Sequence, residues 1–171
     1  MAAAVVVIGA GWLSMHSGSE QEPASAARAD LGSPGGPGTA RADLESTISK
    51  QETILAKKPY DERAAVTLAD ALLRQARVTG NPGLALRAES ALKRVLDQQP
   101  DHYDARRMLG AVYLSQHRFR DAIEEAKRSL QSRANDAWTY GVLGDAHLEL
   151  GEYTEAFDAF DRMAALKPNA A

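Results

Sequence analysis

The 171-residue sequence has no cysteine, which excludes disulfides, a thiol nucleophile, cysteine-ligated zinc and a lipid-modified N-terminal cysteine. Aromatic residues are scarce at 6% against 44% hydrophobic content, and an abundance of Ala and Leu favours closely packed helices over a β-sandwich. An excess of one charge is also missing: 20 Lys and Arg and 23 Asp and Glu are interspersed, for a net charge of −3. No basic stripe is available to neutralise a phosphate backbone, so nucleic acid is not an expected partner. No P-loop, dinucleotide-binding glycine fingerprint or Gly-x-Ser-x-Gly elbow occurs, and an enzyme is not expected.

What is present begins with an uncharged apolar run over residues 2–13, giving way to polar sequence near His16. It is shorter than the about 20 apolar residues of a membrane span and suits the apolar region of a signal peptide, with Ala24, Ser25 and Ala26 at a cleavage-like spacing. No Lys or Arg precedes it. Residues 1–16 are read as a signal peptide or anchor, with residues 2–15 as the membrane-contacting part, so an exported or membrane-anchored chain on the periplasmic side is expected rather than a cytoplasmic one. Residues 17–40 carry Pro23, Pro34, Pro37 and the glycines Gly32, Gly35, Gly36 and Gly38, with Gly18 before them, among polar residues, and are expected to form a disordered linker. The pentapeptide at 27–31 returns at 40–44, which we attribute to chance or slippage in an Ala-rich tract.

Past Arg41 the sequence matches itself at a spacing of 34 residues: Leu109 and Gly110 return as Leu143 and Gly144, Phe119 as Tyr153, and Ala122 as Ala156. Pro100 and Pro168, twice that spacing apart, each close an apolar helical pattern. Residues 137–171 read Tyr140, Leu143, Gly144, His147, then Ala156 and Phe160, then Pro168; residues 103–136 read Arg106, Leu109, Gly110, Tyr113, then Ala122 and Ala126. This pattern resembles the tetratricopeptide repeat family. Small residues at Gly110, Gly144, Ala122 and Ala156 let two antiparallel helices approach, while Leu109, Leu143, Phe119 and Tyr153 are expected to fill the seam.

A divergent repeat precedes these over residues 60–102, with Ala65, Leu68, Ala69 and Leu72 on its first helix and Ala88, Leu92, Val95 and Leu96 on its second. It is seven residues longer than the others, and the excess is assigned to a long turn over Val78–Gly83, with Asn81 as N-cap and Pro82 as first helical residue. Asp61, Asp101 and Asn135 are read as the residues that start each first helix. Residues 41–59, with Leu44, Ile48, Ile54 and Leu55, form an N-terminal capping helix. The resemblance covers residues 44 to 170 and implies an all-α fold, antiparallel helix pairs stacked in a right-handed α-solenoid. In layout the chain is similar to bacterial members of the family, in which further repeats usually follow.

For its chemistry, the resemblance implies a scaffold that binds a protein or peptide, with neither cofactor nor metal. His147 lies near Asp145, Glu149 and Glu152, but Asp145 and Glu149 are two residues away and point elsewhere, and His147 falls on a packing position of the repeat. His102 and His117 are placed in turns, without catalytic partners. Acid pairs such as Glu124 with Glu125 are those of a solvated helix face. First helices of this family line a concave surface; by position that face holds Arg63, Thr67, Asp70 and Arg74, then Arg107, Ala111, Leu114 and Arg118, then Trp138, Val142, Asp145 and Leu148. Arginines there suit forked contacts with carboxylates, and Trp138 an aromatic anchor. The carboxylate clamp of chaperone-binding members needs Asn where this chain has Asp70, Ala111 and Asp145, so capture of a chaperone C-terminus is not expected. Apolar surface is expected to stay open around Phe157, Phe160, Met163 and Ala164, implying either a longer repeat protein or self-association, of which we favour the former.

Overall fold

The computed structural model describes residues 37–166 of the chain. The apolar segment 1–16, most of the linker, the first pentapeptide and Pro168 lie outside the described residues. Among the described residues there are seven helices and no strand: α1 (Pro37–Lys57), α2 (Glu62–Thr79), α3 (Pro82–Gln98), α4 (Tyr103–Ser115), α5 (Phe119–Ser132), α6 (Ala137–Glu149) and α7 (Tyr153–Leu166). Helix α1 begins inside the stretch read as linker: Pro37 is its first residue, where a fixed φ and a missing N–H are tolerated.

Helices α2, α3, α4 and α6 are N-capped by side chains. Asp61 caps α2 by accepting from the Ala64 N–H at 2.9 Å, and Asn81 caps α3 through the Gly83 N–H at 2.9 Å. The caps of the later first helices fall one residue beyond Asp101 and Asn135. His102 Nδ1 accepts from the Ala105 N–H, and an Asp136 carboxylate oxygen from the Trp138 N–H, both at 3.2 Å. The long turn expected over Val78–Gly83 is instead helix. Helix α2 has 18 residues against 13 in α4 and α6, and α3 has 17 against 14 in α5 and α7. Gly80, at φ 67°, ends α2 in the left-handed conformation that glycine adopts without cost, and Asn81 and Pro82 start α3 at once. The first hairpin therefore projects beyond the other two.

Helices α2 and α3, α4 and α5, and α6 and α7 pack as antiparallel pairs; α2, α4 and α6 lie side by side, and each second helix also packs on the first helix that follows it. This is a right-handed α-solenoid in which α1 takes the place of a second helix before α2. Ile48 and Leu55 of α1 are buried, with Leu44 and Ile54 packed against the same core. The close approach rests on alanine: Ala65, Ala69, Ala88, Ala105, Ala122, Ala146 and Ala156 are fully buried, and large residues such as Leu72, Leu92 and Val112 fill what remains. Leu109, Tyr113 and Leu143 are buried as well, and Phe160 lies against Gly144.

Tyr153 departs from the expected seam and is 61% exposed. Its counterpart Phe119 shares a groove with Leu148 and Glu149 of α6, whereas no described helix follows α7. Phe157 shows the same contrast at 63% exposure, against the buried Ile123 one repeat earlier. Of the residues expected to leave apolar surface open on α7, Phe157 and Ala164 are exposed, whereas Phe160 and Met163 are half-buried.

Candidate concave binding groove

Stacking α4 on α6 leaves a groove of about 540 Å³ on the inner layer, lined by Ala111, Leu114 and Ser115 of α4 and by Ala137, Trp138, Gly141, Val142 and Asp145 of α6, with Arg77 and Met163 at its margins. Five residues assigned to the concave face, Ala111, Leu114, Trp138, Val142 and Asp145, are thus brought together. The other seven do not line it. Asp70 and Arg74 pair with each other at 2.9 Å and, with Thr67, face Asp43, Leu44 and Thr47 of α1 in a separate depression. Arg63 is exposed and lines neither. Leu148 borders a smaller hollow shared with Asp145, Leu114 and Phe119.

Arg107, expected to reach for a ligand carboxylate, is held by one inside the protein. Its Nε donates to Asp136 at 2.8 Å and its guanidinium lies 4.0 Å from the centre of the Trp138 ring. Asp136 also accepts from the Tyr103 hydroxyl at 2.7 Å and from the Thr139 hydroxyl, while Arg133 covers the Tyr103 ring. Burial works to raise the Asp136 pKa, but the hydrogen bonds from Thr139, Tyr103 and Arg107 prevail and hold it below 3.8. One carboxylate therefore caps α6 and joins it to α4, and the Trp138 ring becomes a fixed wall of the groove. Sequence reasoning passed over Asp136 and Tyr103; an Asp directly before an apolar helical run is the signal that identifies such a cap.

Arg118 is occupied in a similar way. It bonds Asp121 at 2.7 Å and Glu89 of α3 at 3.1 Å, and stacks 4.0 Å over Tyr113. Burial of Glu89 is outweighed by hydrogen bonds from Lys93, Gln116 and Arg118, which lower its pKa. One repeat later Glu152 holds the same turn position and Arg120 of α5 is its partner at 3.0 Å. The Nδ1 of buried His147 meets Glu152 at 2.6 Å, and this bond is the leading cause of the lowered Glu152 pKa. His147 thus has an acidic partner that its spacing to Asp145 and Glu149 did not reveal, and the pair closes a turn.

Asp145 differs from all of these. Burial and then the nearby Glu149 raise its pKa, and it has no hydrogen bond or ion pair to any described residue. Among the described residues no group of His, Asp and Glu could hold a metal ion, and no helix is long and apolar enough to cross a membrane. The groove offers an aromatic wall, an apolar floor and the Asp145 carboxylate, with Arg77 at its margin.

Such a surface on stacked helix pairs defines a helical-repeat interaction protein. Tetratricopeptide repeat models match residues 83–137 and 112–171, and the chain belongs to that family, whose fold is typically non-catalytic and serves as a protein-interaction scaffold. Among solved structures it is similar to a crystal structure of MamA, at 20% identity over 76% of this chain and 72% of that one, with a TM-score of 0.64. It is also similar to an RS-1 MamA double mutant, at 20% identity over 76% and 69% of the two chains, with a TM-score of 0.62. At that identity the likeness concerns the fold. No curated protein matches the chain in sequence.

Proposed function

We propose that the chain is a scaffold whose α4–α6 groove binds an extended polypeptide segment, with an aliphatic side chain against Trp138 and Val142 and a basic side chain at Asp145. The observation that carries this reading is the unpaired Asp145 carboxylate in a groove whose apolar wall is made by Ala111, Leu114, Trp138, Val142 and Met163, with Arg77 at its margin. Asp145 is exposed and has no ion-pair partner among the described residues, so a Lys or Arg brought to it gains attraction and register from the same group. Arg107 contributes by fixing the Trp138 ring, and its substitution would loosen the fold together with the groove.

The test is affinity capture with the full chain, compared with Asp145→Lys and Leu114→Glu, each verified as folded by circular dichroism. Partners of the wild type should be lost from both variants, retained by Arg87→Ala at a remote surface site, and weakened by salt. Retention of the same partners by both groove variants overturns the reading. A second reading, self-association, is favoured by the exposed Tyr153 and Phe157 on α7; sedimentation across a concentration series tests it, and a strictly monomeric chain excludes it. We also propose export or membrane anchoring through residues 2–15 on the strength of their apolar run. Membrane fractionation with and without that segment tests the assignment.

A further inference from the structure

The projecting α2–α3 hairpin overhangs the α4–α5 turn and closes a cleft of about 600 Å³ that adjoins the concave groove, with Arg77 and Ser115 lining both. Leu73 and Ala76 of α2 and Ala85 and Leu86 of α3 make its apolar side, and Leu86 remains 59% exposed there. No acidic residue lines the cleft, and its rim is cationic. Arg118 on that rim is already committed to Asp121 and Glu89, which leaves Arg77, without an ion-pair partner among the described residues, and His117.

His117 stands in the left-handed backbone region at φ 58°, a conformation that side chains with a Cβ rarely adopt. The equivalent turn one repeat later holds Gly151 at φ 74°, so the solenoid closes this turn with glycine where nothing else is asked of the position. At 117 the strained choice keeps an imidazole, edge-on to Phe119 with ring centres 5.6 Å apart, at the mouth of the cleft. Strain present at one turn and avoided at its twin points to the side chain as the reason.

We propose that this cleft binds a polypeptide segment presenting an aliphatic side chain beside a carboxylate. The aliphatic group packs on Leu73, Ala85 and Leu86, and the carboxylate lies on the rim formed by Arg77 and His117. An apolar floor beside the unpaired Arg77 guanidinium, with the His117 imidazole as a second hydrogen-bonding group, matches that pairing, and the site exists because the first repeat is longer than the others.

The probe is a fluorescein-labelled peptide, Gly-Ser-Leu-Glu-Glu-Ser-Gly, titrated against the full chain by anisotropy, with the Gln-Gln peptide as control. The acidic peptide should bind about tenfold tighter than the control, the difference made by one charged hydrogen-bond partner. Two variants, His117→Gly and Leu86→Ser, should each weaken it by about fivefold or more on the same grounds. His117→Gly should not lower Tm, since it relieves the backbone, so a loss of binding there is not a loss of fold. Lys127→Ala, at an exposed position of α5 away from both clefts, should leave the affinity unchanged. Absence of saturable binding, equal affinity for the two peptides, unaltered binding to His117→Gly, or loss on Lys127→Ala overturns the proposal.

Discussion

Replacing Gly144 by Ala sets a Cβ 2.3 Å from Cε1, 2.5 Å from Cδ1 and 2.7 Å from Cζ of Phe160. No carbon pair sits that close without moving, and three ring atoms are met at once. Relief requires the ring to leave its position between α6 and α7 or the two helices to separate, and overpacking of this kind costs about 1–3 kcal/mol. Alanine returns up to about 1 kcal/mol of helix propensity, and because three ring atoms are met at once the overpacking cost lies toward the upper end, leaving a net loss of up to about 2 kcal/mol. At Gly110 the same Cβ meets nothing nearer than the Ala122 carbonyl oxygen at 3.5 Å, the Ala126 nitrogen at 3.6 Å and Val142 at 3.7 Å. That is ordinary contact, so Gly110→Ala should be neutral or stabilising by up to about 1 kcal/mol. Urea unfolding followed by circular dichroism at 222 nm measures both, and the double variant with Phe160→Ala should remove the penalty at 144 without a comparable effect at 110. A Gly144→Ala protein as stable as wild type, or a Gly110→Ala protein less stable than Gly144→Ala, refutes the reasoning.

Asp136→Ala removes an N-cap and leaves Tyr103, Arg107 and Thr139 without their acceptor, so a loss of about 2–4 kcal/mol is expected in urea unfolding, with Asp136→Asn milder because the cap survives. Because folding depresses the carboxyl pKa values of Asp136 and Glu89, their contribution is complete above the ordinary values of 3.8 and 4.5 and is lost as pH falls through the lower folded values. Tm should therefore decline on acidification below that range, less steeply in Asp136→Ala; equal slopes count against the assignment. Ser129 is fully buried with its hydroxyl unpartnered, at the position that Val95 fills one repeat earlier. Ser129→Ala is expected to raise stability by about 1 kcal/mol, and a loss in the same assay would show that the hydroxyl has a partner.

The spacing of 34 residues is legible because helix-pair packing repeats the same small and large side chains at the same steps, and the antiparallel pairs follow from it. Details that depend on how one element meets another are less visible. Asp101 and Asn135 are stronger capping residue types than His102, yet the turn geometry brings His102 Nδ1 and the Asp136 carboxylate to the free N–H groups. A cluster of Gly, Asn and Pro reads as a long turn, but Gly80 is a C-cap and Pro82 a first helical residue, so two helices nearly touch there. Arg107 stands on the concave face as its position predicts. Only the structure shows that Asp136, 29 residues on, already holds it.

Arg118 reaching back to Glu89 and Glu152 reaching back to Arg120 start from the same turn position with opposite charge and reach the preceding second helix one turn apart. The repeats are alike in shape and unlike in polarity, so they are not interchangeable parts. Were the last repeat to stack directly on the first, Glu152 would come against Glu89, with Leu86 where Arg120 now stands. Like charges would meet at the seam, and the misordered array would be penalised where the correct one is joined. The surface ion pairs add little to the strength of this solenoid, but they give its units an order, which protects a chain of near-identical modules against slipping by one unit as it folds.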